Sequence, residues 1–172
     1  MNRIFIAACM GLFLCGSAFC DLSQPWNNPS GGTLSTGCKH LTFHSASNNT
    51  DIGYIIYLPP NYDSSSTSTT RYPVVYSFHG MSGNEWGNAS IASNVQSDIK
   101  SNTINPMIWI FVSGHGNSFY ADSKDGSIKC ETSIVKELIP HVDSLFHTIP
   151  DRMHRATHGI SMGGFGSMMM TF

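Results

Sequence analysis

Charge is scarce in this sequence. Lys, Arg, Asp and Glu make up 12% of its 172 residues, about half the share of an ordinary globular chain. Nine basic against eleven acidic residues leave a net charge of −2, so no basic footprint marks nucleic acid or an anionic membrane as a partner. Long apolar runs are missing as well. The longest, Ile4 to Cys15, falls short of the about 20 residues that span a bilayer. Cysteine is rare beyond the N-terminus: of five, Cys9, Cys15 and Cys20 lie in the first twenty residues, leaving Cys38 and Cys130. A disulfide-dense scaffold is thereby excluded. No internal repeat is visible.

What is present begins with "MNRIFIAACMGLFLCGSAFC". One arginine, an apolar run and then small residues have the build of a secretory signal peptide, cleaved after Ala18 or Cys20. A buried N-terminal helix is the other reading, and Phe19 before Cys20 fits a lipid-attachment site badly. Export leaves Cys38 and Cys130 in an oxidising compartment, where they form a disulfide or remain two buried thiols; composition leaves both open. Asn48-Asn49-Thr50 and Asn88-Ala89-Ser90 are glycosylation sequons. Residues 1–20 are thus expected to be a signal and 21–172 to belong to one domain.

Along the chain, "KHLTFHSA" alternates as a half-buried strand does, and "DIGYIIYLPPNY" supplies its antiparallel partner, stopped by Pro59-Pro60. "DSSSTSTTR" is a polar connector within the domain. The pattern then changes. "YPVVYSFHG" and "PMIWIFVSGHG" read as strands covered on both faces. Between them Ile91, Val95 and Ile99 mark a short amphipathic helix. "CETSIVKELIPHVDSLFHTI" spaces Ile134, Leu138, Val142 and Leu145 on one helical face, with Pro140 placed to kink or end its first half. "HRATHGIS" is a third strand. Strand, helix, strand, helix, strand predicts an α/β fold with a parallel sheet.

That third strand runs into Gly159-Ile160-Ser161-Met162-Gly163. In so Gly- and Ser-rich a chain, Gly-x-Ser-x-Gly arises by chance roughly one time in five. Its setting makes it informative, because a strand precedes it and "MGGFGSMMM" reads as the start of a buried helix. Such a turn holds a serine in a strained conformation, and flanking glycines let strand and helix pass closely. A plain glycine-rich turn is the competing reading. Ser161 as a nucleophile would need a base and N–H donors for an oxyanion. The Met162 amide opens the helix and gains from its positive end. The loop His79-Gly80-Met81-Ser82-Gly83 ends another parallel strand, and its Met81 amide is the second candidate. Histidines 79, 115, 147, 154 and 158 precede Ser161 and none follows it. His158 sits too close along the strand to reach the hydroxyl, and His79 is expected to shape the Met81 loop. His154 and His158 lie in strand-like sequence, so their spacing does not make a zinc site.

The stretches "YLPPNY", "YPVVYSFHGMSGNEW" and "KELIPHVDSLFHTIPDRMHRATHGISMGGFG", in this order, resemble the esterase-D-like α/β-hydrolases, especially secreted feruloyl and acetyl-xylan esterases. The resemblance covers about Gly53 to Met170. It implies an α/β-hydrolase fold: a mostly parallel sheet, helices on both faces and an N-terminal antiparallel hairpin at the edge. It also implies Ser161 as nucleophile, Met81 and Met162 N–H as oxyanion hole, no cofactor or metal, and esterified plant cell-wall polysaccharide as substrate. In that family the acid and histidine follow on later loops, so the expectation is an esterase lacking its C-terminal part. A cytosolic S-formylglutathione hydrolase and a non-catalytic carbohydrate-binding or adhesin-like domain on a hydrolase scaffold are the rivals.

Overall fold

Period-2 alternation in two strands decides the architecture of the computed structural model, which describes residues 24–171. In β2 (Thr50–Tyr57), Tyr54 and Ile56 face one hydrophobic cluster while Ile55 and Tyr57 face another. In β4 (Ile108–Val112), Ile108, Ile110 and Val112 join the first cluster, and Trp109 and Phe111 the second. A strand apolar on both sides must be covered on both. The segment read as a signal peptide lies outside the described residues.

Among the described residues the sheet has five strands in the order β1-β2-β4-β3-β5, with β1 at Cys38–Ser45, β3 at Val74–Phe78 and β5 at Arg155–Gly159. The β1–β2 hairpin is antiparallel and β2 also meets β4 antiparallel, whereas β4, β3 and β5 run parallel. Helix α1 (Ile91–Lys100) buries Ala92, Val95 and Ile99 against the second cluster. The opposite face is covered by α2 (Cys130–Thr132), a π-helical turn (Ser133–Leu138) and α3 (Ile139–Leu145), which contribute Ile134, Leu138 and Val142.

Pro140 acts as its chemistry requires. It stands in the first turn of α3, and its ring would crowd the carbonyl four residues back in an unbroken α-helix. The chain widens instead, and Ile139 N–H donates to Ile134 O across five residues. Leu145, expected on the apolar face, is 60% exposed because the helix ends there. The third strand begins at Arg155 rather than His154. The Asp151 carboxylate caps a short 3₁₀ turn at Arg152–His154 and accepts from the Met153 and His154 amides.

The disulfide reading of the two cysteines is corrected. Cys38 and Cys130 form no disulfide with each other: the Cys38 thiol packs with the α1-side cluster, while Cys130 lies in the cluster across the sheet. Cys130 Sγ instead points to Gly114 O at 3.6 Å. The two sequons are also poorly presented. Asn48 Nδ2 donates to Ser45 Oγ and Lys129 O, and Asn88 Nδ2 donates to Phe78 O at 2.8 Å. Peptide mapping without reductant should therefore recover Cys38 and Cys130 in separate peptides. Native alkylation of Cys38 at pH 8 should be slow, because burial pushes its pKa up to about 11 and the thiolate is the reactive form. A cross-linked peptide would contradict this packing.

Candidate active site

Strand β5 delivers the chain to Ser161 at the sheet's C-terminal edge, and α4 (Met162–Met169) leaves from it. Ser161 has φ 55° and ψ −120°, a backbone region that costs a non-glycine residue on the order of 1–3 kcal/mol. The residue is exposed, and its hydroxyl makes no capping bond to the helix it precedes. Two glycines make this turn possible. A Cβ on Gly163 would collide with Phe78 O, and one on Gly159 with the Gly163 carbonyl. The helix therefore rests directly on the end of β3.

That end of β3 carries the loop at 79–83. A Cβ placed on Gly80 would lie 3.7 Å from Ser161 Cβ and 3.6 Å from Ile160 O, so the loop is laid against the serine turn. Its shape is fixed from beyond. Ser82 N–H donates to Gly116 O at 3.1 Å and to Asn117 Oδ1 at 3.0 Å, and Gly83 N–H returns to Gly80 O. Met81 N–H donates to no described acceptor, and Met162 N–H opens α4, where a helix has no internal acceptor. Gly80 is thus laid against Ser161, with Met81 next to it in the chain and Met162 directly after the serine. Chemically, an exposed serine hydroxyl can take an acyl group where a base and N–H donors for the oxyanion are at hand.

His79 explains the loop's stiffness. Gly114 N–H donates to its Nε2 at 2.9 Å, so Nδ1 carries the proton and donates to Gly80 O at 2.7 Å. Both nitrogens are used, in a ring only 2% exposed. Burial pushes its pKa below the ordinary histidine value, against a smaller upward pull from the Gly80 carbonyl and Glu85. The unfolded chain then takes up a proton near pH 6.5 where the native state does not, so stability is complete above that value and lost as pH falls towards the depressed native pKa. His141, also lowered by burial, acts in the same direction. Urea midpoints should fall from pH 7.5 to 5.5, and His79→Gln should flatten that fall. An unchanged slope in the variant would contradict a neutral, buried His79.

The other histidines are engaged elsewhere. His158 Nδ1 meets Ser77 Oγ at 3.0 Å, and its ring stands edge-on to Trp109 on the α1 face. His154 contacts Asp151, and His147 contacts Ser65 O and Arg71. His115 is buried against Trp26, ring centroids 4.4 Å apart. Arg155, the first residue of β5, holds Asp143 of α3 at 2.5 Å and so anchors the strand.

Sequence reasoning missed two supports. Glu85 is 1% exposed and accepts from the Asn28 amide at 2.7 Å and from His40 at 2.9 Å, tying the loop's far end to β1. A lone acid between Asn84 and Trp86 gives no signal of this. Tyr120, fully buried, donates its hydroxyl to His79 O.

Comparison with known proteins gives the family. The family model described as "Putative esterase" matches residues 45–172. An endo-1,4-beta-xylanase/feruloyl esterase of Xylanibacter ruminicola is 35% identical over 146 residues, covering 77% of this chain and 19% of that protein. A solved ferulic acid esterase superposes with a TM-score of 0.68 at 28% identity, over 76% of this chain and 52% of the other. An S-formylglutathione hydrolase from Agrobacterium tumefaciens shares the fold, with a TM-score of 0.61 at 16% identity over 79% and 53% of the two chains. The chain thus spans about half the length of these solved relatives. With its mixed sheet, its helices on both faces and the serine turn between β5 and α4, this chain has the α/β-hydrolase fold and belongs to the esterase family.

Proposed function

We propose that this chain carries the nucleophile and oxyanion hole of a secreted serine carboxylesterase that removes feruloyl or acetyl groups from plant cell-wall polysaccharide. The observation that carries the reading is the strained, exposed Ser161 against the Gly80–Met81 loop. In the first half-reaction, Ser161 Oγ attacks the ester carbonyl and its proton passes to a base. The Met81 and Met162 amides receive the oxyanion, and the alcohol departs with a proton as the acyl-enzyme forms. Water then releases the acid by the reverse sequence. On this reading the base and its carboxylate come from elsewhere in the complete gene product, since His79 and His158, the histidines on the strand ends at the site, are engaged as set out above. No metal or cofactor is called for by this chemistry. Export rests on the charged, apolar, small-residue order of residues 1–20, and secreted protein should begin at residue 19 or 21.

The likeness in fold to an S-formylglutathione hydrolase supports a second reading, in which the same serine takes a formyl group from a thioester. Assay of the complete gene product on methyl ferulate, 4-nitrophenyl acetate and S-formylglutathione separates the two. Turnover of methyl ferulate at least tenfold above the thioester supports the polysaccharide esterase. The opposite order supports the second reading, and no turnover of any of them leaves a non-catalytic scaffold.

A further inference from the structure

Phe119 and Tyr120 are consecutive bulky residues in left-handed backbone, with φ of 54° and 61°. Aromatic residues rarely occupy this region and hold it only where their surroundings over-determine it. The surroundings here are specific. Tyr120 is 0% exposed, its ring centroid is 4.7 Å from that of Phe78 and 5.6 Å from that of His79, and its hydroxyl donates to His79 O at 2.9 Å. A Cβ on Gly114 would run into the ring from the end of β4, and one on Gly166 would come within 2.5 Å of it from α4. The His79 carbonyl that the hydroxyl holds is also the group against which Gly163 is laid, where a Cβ would sit 2.7 Å away. One side chain therefore touches the Met81 loop and the serine helix together.

We propose that Tyr120 is a positioning residue that sets the Met81 amide against Ser161, by holding His79 O with its hydroxyl and α4 with its ring. This rests on the esterase reading for its catalytic consequence but not for the coupling itself. Without the hydroxyl the buried His79 carbonyl loses a charge-neutral donor it cannot replace from water, and the loop and helix are free to move relative to each other. A displacement of about 1 Å at such a site costs on the order of 100-fold in rate.

The test compares Tyr120→Phe with Tyr54→Phe, which also removes a buried hydroxyl, the one facing His141 at 3.1 Å. Amide hydrogen exchange needs no activity. Tyr120→Phe should speed exchange about tenfold or more in both 80–83 and 162–166, and Tyr54→Phe in neither. Gly166→Ala, which presses on the ring from the helix side, should give the same paired change and serves if Tyr120→Phe does not fold. In the complete gene product, Tyr120→Phe should lower kcat about 10- to 100-fold with KM within about twofold, while Tyr54→Phe keeps kcat within about twofold. Exchange that rises in only one segment, or in neither, overturns the coupling. An unchanged kcat in an active enzyme overturns the positioning role. A wild type that hydrolyses nothing sinks the esterase reading, and the exchange result still decides the coupling.

Discussion

Ser161→Ala should abolish ester hydrolysis by the complete gene product and leave its fold intact. Alanine keeps the Cβ and accepts the same φ of 55° at the same cost, so urea unfolding should be unchanged within about 0.5 kcal/mol. The rate should fall on the order of 10⁴- to 10⁶-fold, because the two amides can still bind an oxyanion but nothing attacks to make one. Ser161→Gly separates strain from chemistry. Glycine occupies this backbone region freely, so that variant should be as inactive as alanine and yet more stable, by about 1 kcal/mol. A variant at Ser161 that kept more than a few per cent of activity would show that another residue attacks the ester.

The 172-residue chain by itself should show no ester hydrolysis, even though it holds the serine and both amides. A serine hydroxyl is almost fully protonated at neutral pH and attacks only with a base in hydrogen-bond reach. His79, on the loop laid against the serine turn, spends both nitrogens on Gly80 O and Gly114 N–H, and burial keeps it neutral. His158 is held on the α1 face by Ser77. Against 4-nitrophenyl acetate and methyl ferulate, the short chain should run at least 10⁴-fold below the complete gene product. Comparable turnover would mean that an upstream histidine leaves its partners to act as base, with His79→Gln identifying whether it is that one.

Most of the fold was legible because burial leaves a periodic trace. "YPVVYSFHG" and "PMIWIFVSGHG" are apolar on both faces, and they became β3 and β4 at the sheet's centre. The serine turn was legible because Gly159 and Gly163 stand where strand and helix touch, and sterics there admit nothing larger. Other features left no such trace. "NSFYADS" gave no reading at all, because left-handed backbone at Phe119 and Tyr120 is imposed by tertiary contacts rather than by local preference. Counting cysteines left a disulfide and two thiols both open, because counting carries no information about sheet faces, and Cys38 and Cys130 lie on opposite ones. Glu85 was silent for the same reason: its partners Asn28 and His40 are 57 and 45 residues away in the chain.

The central claim is that the strained Ser161 is the attacking group, and covalent capture tests it most directly. The complete gene product is treated with a fluorophosphonate, which phosphonylates an activated serine, then digested and mapped by mass spectrometry. The account predicts one adduct per molecule, on the peptide containing Ser161, and loss of hydrolysis in step with labelling. An adduct on any other residue, or full inactivation with the Ser161 peptide unmodified, would contradict it.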